Sequence, residues 1–90
     1  MPHRFAALLV LAALLMVAGC ETTESQMAPE EVPANVMAAF KKQFPDAKLI
    51  LCEKELYKDG TVHYEFEFKI KDGEREEAEY NAEGVLLSKH

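Results

Sequence analysis

His63, Glu65 and Glu67 recur at every second position of one short stretch, and Glu77 and Glu79 repeat the spacing ten residues later. On a β-strand that period places His63, Glu65 and Glu67 on one face, about 6–7 Å apart per step. With Glu77 or Glu79 from a neighbouring strand they could hold a divalent cation weakly. A His-and-carboxylate set suits zinc, and carboxylates alone suit calcium. The plainer reading of the same residues is a solvated face of alternating charge. Covalent catalysis has poorer material. Ser25 and Ser88 stand in no nucleophile-like motif, and Cys52 and His63 are expected on opposite faces of a sheet. The Glu74, Glu76, Glu77, Glu79 run supplies carboxylates but no cleft, whereas acid–base work needs paired groups in unlike environments. No catalytic residue, no cofactor and no enzymatic activity are expected.

A second chemistry belongs to the N-terminal part. Arg4 precedes an apolar run from Phe5 to Gly19, the order of parts in an export signal. As a helix those 15 residues reach about 22 Å, short of the roughly 30 Å of a bilayer core. The run closes on Met16-Val17-Ala18-Gly19-Cys20, which resembles the lipobox of bacterial lipoprotein signal peptides, with Val17 where Leu is commoner. The resemblance implies cleavage between Gly19 and Cys20, acylation of the Cys20 thiol and anchorage in a membrane. Several acyl chains give lasting attachment where one gives only marginal binding. Glu21 after the cysteine implies the outer membrane, facing the periplasm, rather than retention at the inner one. An ordinary secretory signal with an incidental thiol at Cys20 is the other reading.

Removal of residues 1–19 leaves 71 residues carrying 16 acidic and 9 basic side chains, a formal charge of about −7. That balance disfavours nucleic acid and any electrostatic hold on anionic lipid. With Cys20 acylated, Cys52 is the one remaining thiol, and its place after Leu49-Ile50-Leu51 points to burial rather than an intermolecular bridge.

The elements that position these residues are legible in part. Residues 20–31 are polar, acidic and without apolar periodicity, so they are expected to form a flexible tether reaching about 15–20 Å. Residues 32–90 are expected to fold as one domain. Pro33 suits a first helical turn, and Val36, Met37, Phe40 and Phe44 make one apolar stripe that ends at Pro45. Val62, Tyr64, Phe66, Phe68 and Ile70 alternate with His63, Glu65, Glu67 and Lys69, the period of a sheet with one wet face. Lys58-Asp59-Gly60 and Asp72-Gly73 are hairpin signals. Strands are then expected over 47–57, 74–80 and 85–89, with Ala78 and Tyr80 inward. Apolar residues on both faces near Leu49 to Leu51 signal a bulge or contact with a neighbour. The expected fold is α+β: one N-terminal helix packed on a four-stranded antiparallel meander.

These residues also resemble the PepSY-like domains. The likeness runs through Val32-Pro33-Ala34, then Ala39 to Ala47 (AFKKQFPDA), Lys58-Asp59-Gly60 and Tyr64 to Phe68. Asp72-Gly73 and Tyr80 to Leu86 (YNAEGVL) continue it. The resemblance implies a helix on a four-stranded antiparallel sheet, related to the halves of the β-lactamase inhibitory protein. It also implies an exported module that binds or restrains other proteins, peptidases among them. The expected contact face is His63, Glu65, Glu67 and Lys69 with Glu77 and Glu79, and the expected partner an envelope protein or peptide. A domain near 60 residues is marginal alone, so a homodimer is a natural supplement.

Overall fold

The computed structural model describes residues 22–71 and 73–90. The strands are β1 (Thr22–Met27), β2 (Lys48–Tyr57), β3 (Val62–Lys69), β4 (Arg75–Asn81) and β5 (Leu86–Lys89), and the helix is α1 (Ala34–Gln43). All five strands join one antiparallel sheet in sequence order, with α1 inserted between β1 and β2.

The expectation of four strands is therefore corrected to five. The additional strand is Thr22–Met27, taken from the stretch expected to be a flexible tether. Its composition misleads because an edge strand is recruited through its backbone, which any sequence without proline supplies. It registers against β2 from Thr22 opposite Tyr57 to Met27 opposite Cys52, and only Met27 packs on the core. One turn of 3-10 helix, Pro29–Glu31, then redirects the chain toward α1, with the Ala28 N–H donating to the Glu31 carboxylate at 2.8 Å.

Helix α1 starts where Pro33 presets φ at −53° and its carbonyl accepts from Val36 and Met37. It ends before Pro45, which disfavours helical backbone at Phe44. Val36 and Phe40 are buried, and the Phe40 ring stacks on Phe66 at 4.3 Å and meets Phe68 edge-on at 5.1 Å. Cys52, Tyr64, Phe66, Phe68, Ala78 and Tyr80 complete the core from the sheet side. Cys52 is a free, buried thiol whose pKa burial pushes up, so it is held as an inert small apolar group.

The apolar excess in β2 is resolved by a bulge. The register against β3 shifts between Leu49 and Leu51, which leaves Ile50 exposed while Leu49 and Cys52 both reach the core side. At the N-terminal end of the helix, Asn35 donates to the Ala82 carbonyl at 3.0 Å, pinning α1 to the β4–β5 turn. Gly84 in that turn has φ +84°, and a Cβ there would meet the Asn35 carbonyl oxygen at 3.2 Å.

Candidate functional site

Because α1 covers one face of the sheet, every second residue of each strand points to the other, and among the described residues no element covers that face. The strand registers sort it into rows. One row runs Glu24, Glu55, His63, Asn81 across β1 to β4. The next runs Gln26, Glu53, Glu65, Glu79, Ser88 across all five strands. A third holds Leu51, Glu67 and Glu77, and a fourth, at the edge, the three cations Lys48, Lys69 and Arg75. Seven glutamates thus share one face: Glu24, Glu53, Glu55, Glu65, Glu67, Glu77 and Glu79. Four of their pairings set carboxylate directly against carboxylate: Glu24–Glu55, Glu53–Glu65, Glu65–Glu79 and Glu67–Glu77. Like charges in directly opposed positions destabilise a sheet.

Compensation is sparse. Arg75 Nη2 approaches Glu67 at 3.4 Å, and His63 Nδ1 lies 2.6 Å from Glu79 Oε2. The Lys89–Glu76 pair, at 2.8 Å, belongs to the opposite face by register. Glu55 sits at the centre of the carboxylates and is only 9% exposed, and its Oε1 has no hydrogen-bond partner. Burial first, then the carboxyl groups of Glu24, Glu79 and Glu65, push its pKa up to about 8. Glu65 is pushed up to about 7, by burial and then by the charge of Glu77 and the nearby Glu53 carboxyl. Desolvation and like charge act in the same direction on both groups, favouring the neutral form. The Tyr57 ring lies against His63 at 4.7 Å and closes this end of the face. Its hydroxyl pKa is raised, first by burial and then by Glu55 and Glu79.

All six residues expected on the contact face, His63, Glu65, Glu67, Lys69, Glu77 and Glu79, lie on this face. Lys69 stands apart from the acidic rows, opposite Lys48 and Arg75. Cys52 and His63 are on opposite faces, so no thiol–imidazole pair forms. Three members were missed: Glu24, Glu53 and Glu55. The signal for the last two was present, since an inward Cys52 sends Glu53 and Glu55 outward. Glu24 was hidden by the reading of its segment as a tether. Gly19 and Cys20, the cleavage and lipidation residues, lie outside the described residues. No helix among the described residues is long and apolar enough to cross a membrane.

No family model, curated protein or solved structure matches the chain, so the site rests on its own geometry.

Proposed function

We propose that this chain is a non-catalytic, lipid-anchored binding protein of the bacterial envelope. Its open sheet face engages a lysine- and arginine-rich segment of another envelope protein or peptide. The observation that carries the reading is the set of four directly opposed glutamate pairs on an uncovered face. A surface that lowers the stability of its own sheet gains most from a cationic partner, which relieves the repulsion as it binds. The basic row of Lys48, Lys69 and Arg75 at one edge sets the polarity of that contact and excludes a uniformly cationic occupant.

The anchor supports the same reading. Thr22 follows Cys20 by two residues, at most about 7 Å of extended chain. An acyl group on Cys20 therefore holds β1, and the β2–β3 hairpin beside it, against the membrane surface. The domain then rides on the periplasmic leaflet of the outer membrane, the destination implied by Glu21, within reach of neighbours in the periplasm.

Crosslinking in intact cells tests this. The wild-type chain is expected to capture a discrete partner that is lost when Glu53, Glu65 and Glu77 are each replaced by Lys. The same partners captured after that reversal would place the contact elsewhere.

A further inference from the structure

We propose that Glu55, His63 and Glu79 form a binding site for one divalent cation of the zinc class. The proposal goes beyond the partner-binding reading and does not depend on it.

Three adjacent strands build the site. Glu55 of β2 stands directly opposite His63 of β3, and Glu79 of β4 is the diagonal neighbour of His63, one row along. Side chains in that relation reach one another across a sheet. One ligand atom from each residue falls within 4.8 Å of the other two. A backbone scaffold of paired strands holds such a set more firmly than a loop does.

Glu55 supplies the second, independent observation. Its side chain is nine-tenths buried, its carboxylate lies among the other ligand atoms, and Oε1 has no partner. A buried carboxylate oxygen without a partner carries a desolvation penalty with nothing to offset it. Surface glutamates avoid this by turning toward water, and Glu55 does not. A cation seated between Glu55, His63 and Glu79 would satisfy the orphan oxygen and neutralise the centre of the repulsive rows together.

The donor set selects the ion. One imidazole nitrogen with two carboxylates matches zinc, which takes four ligands from nitrogen and oxygen at about 2.0–2.2 Å. Calcium requires six to eight oxygens and magnesium a near-octahedral oxygen shell, neither of which a His-containing triad offers. Tetrahedral ligands at those distances stand roughly 3.3 Å apart, so the His63–Glu79 contact of 2.6 Å must widen by about 0.7 Å. Both side chains have room, at 19% and 23% exposure. Three protein ligands leave one of zinc's four positions to water or to a donor from a bound partner. Tyr57 against the His63 ring restrains the imidazole from the hairpin side.

The site differs from the face expected from sequence. His63, Glu65 and Glu67 lie along a single strand, too far apart to share a small ion. Of the expected set the structure keeps His63 and Glu79 together, and Glu55 of β2 takes the place of Glu65 and Glu67.

Titration calorimetry with zinc chloride, on the full chain purified without a histidine tag, decides the matter. One equivalent of zinc is expected to bind at least tenfold more tightly than calcium chloride. Cobalt in its place is expected to give the visible absorption of a four-coordinate ion. Glu55→Gln and His63→Asn should each weaken zinc binding tenfold or more, and Glu83→Gln, on the exposed β4–β5 turn outside the acidic face, should leave it unchanged. Should one variant fail to fold, the other carries the test. Absence of heat at millimolar zinc, or zinc binding indifferent to Glu55→Gln and His63→Asn, overturns the proposal. Loss of zinc binding with the crosslinked partner retained, or the reverse, separates this site from the partner-binding reading.

Discussion

Glu65 of β3 lies directly opposite Glu79 of β4, so two carboxylates occupy a cross-strand position where a salt bridge would ordinarily support the sheet. Glu53 flanks Glu65 on its other side. Each opposed like-charge pair is unfavourable by roughly 0.2–1 kcal/mol. Glu65→Gln removes two such contacts at once while keeping the shape of the side chain. It is expected to raise stability by about 0.5–1.5 kcal/mol, and a domain of this size gains about 4–8 °C in Tm per kcal/mol. Glu83→Gln, on an exposed turn, should change Tm little. Thermal unfolding at about pH 8.5, where Glu65 is ionised, followed by circular dichroism compares the two, and a Glu65→Gln variant that melts below wild type there would remove the repulsion argument.

The same crowding fixes the sign of the pH dependence. Glu55 and Glu65 have folded-state pKa values of about 8 and about 7, against 4.5 for the free side chain. Between those limits the folded chain holds more protons than the unfolded chain, so stability falls as pH rises. Their contribution is fully present below about pH 4.5 and is lost as pH climbs through about 7 and then 8. In urea with a chelator present, the unfolding midpoint should be lower at about pH 8.5 than at about pH 5.5. The double variant Glu55→Gln, Glu65→Gln should flatten that slope. A midpoint that rises toward alkaline pH would contradict the burial of these two groups.

How far the sequence could be read depends on what each element was asked to reveal. The alternation from Val62 to Ile70 marks β3 because its two faces meet different media, and Phe66 and Phe68 are indeed fully buried. Leu49 to Leu51 broke the alternation, and the break is a bulge with Ile50 turned outward. Thr22 to Met27 broke it too, and there the inference failed. An edge strand with one core-facing residue, Met27, needs no alternation because backbone hydrogen bonds alone enlist it. Glu55 was illegible for a related reason. Its burial comes from side chains on three other strands, Glu24, His63 and Glu79 among them, and the missing β1 concealed one of them. A charged residue buried by its neighbours leaves no local trace.

The core allows a sharper mutational test. Phe40 is the one helix residue whose ring meets Phe66, Phe68 and Tyr80 together, at 4.3, 5.1 and 6.5 Å. Phe→Ala in such a site costs about 3–5 kcal/mol, and a core of this size rarely supplies more than that in total. Phe40→Ala is therefore expected to be largely unfolded at room temperature. Phe44→Ala, at the half-buried end of the stripe, should leave a folded domain with a lowered Tm. Near-ultraviolet circular dichroism and dispersion of amide proton shifts distinguish the outcomes, and a well-folded Phe40→Ala variant would mean that the helix is dispensable to the sheet.

The placement of β1 can be tested without any substitution. In an antiparallel pair the amides of an edge strand alternate, one directed at the neighbouring strand and the next at solvent. Over Thr22 to Met27, hydrogen exchange should therefore show protection at every second amide, as a paired edge strand requires. A flexible tether would exchange uniformly and fast across the same residues. Protection should be the same with and without detergent, because the pairing with β2 is made by the backbone of the domain itself. The edge that β1 closes also shields Glu55, whose direct neighbour on that side is Glu24. Glu24→Gln should therefore stabilise the domain and draw the Glu55 titration, read from its carboxyl carbon by nuclear magnetic resonance, downward from about 8. Uniform exchange over 22–27 together with an unmoved Glu55 titration would return the segment to solvent and leave a four-stranded sheet.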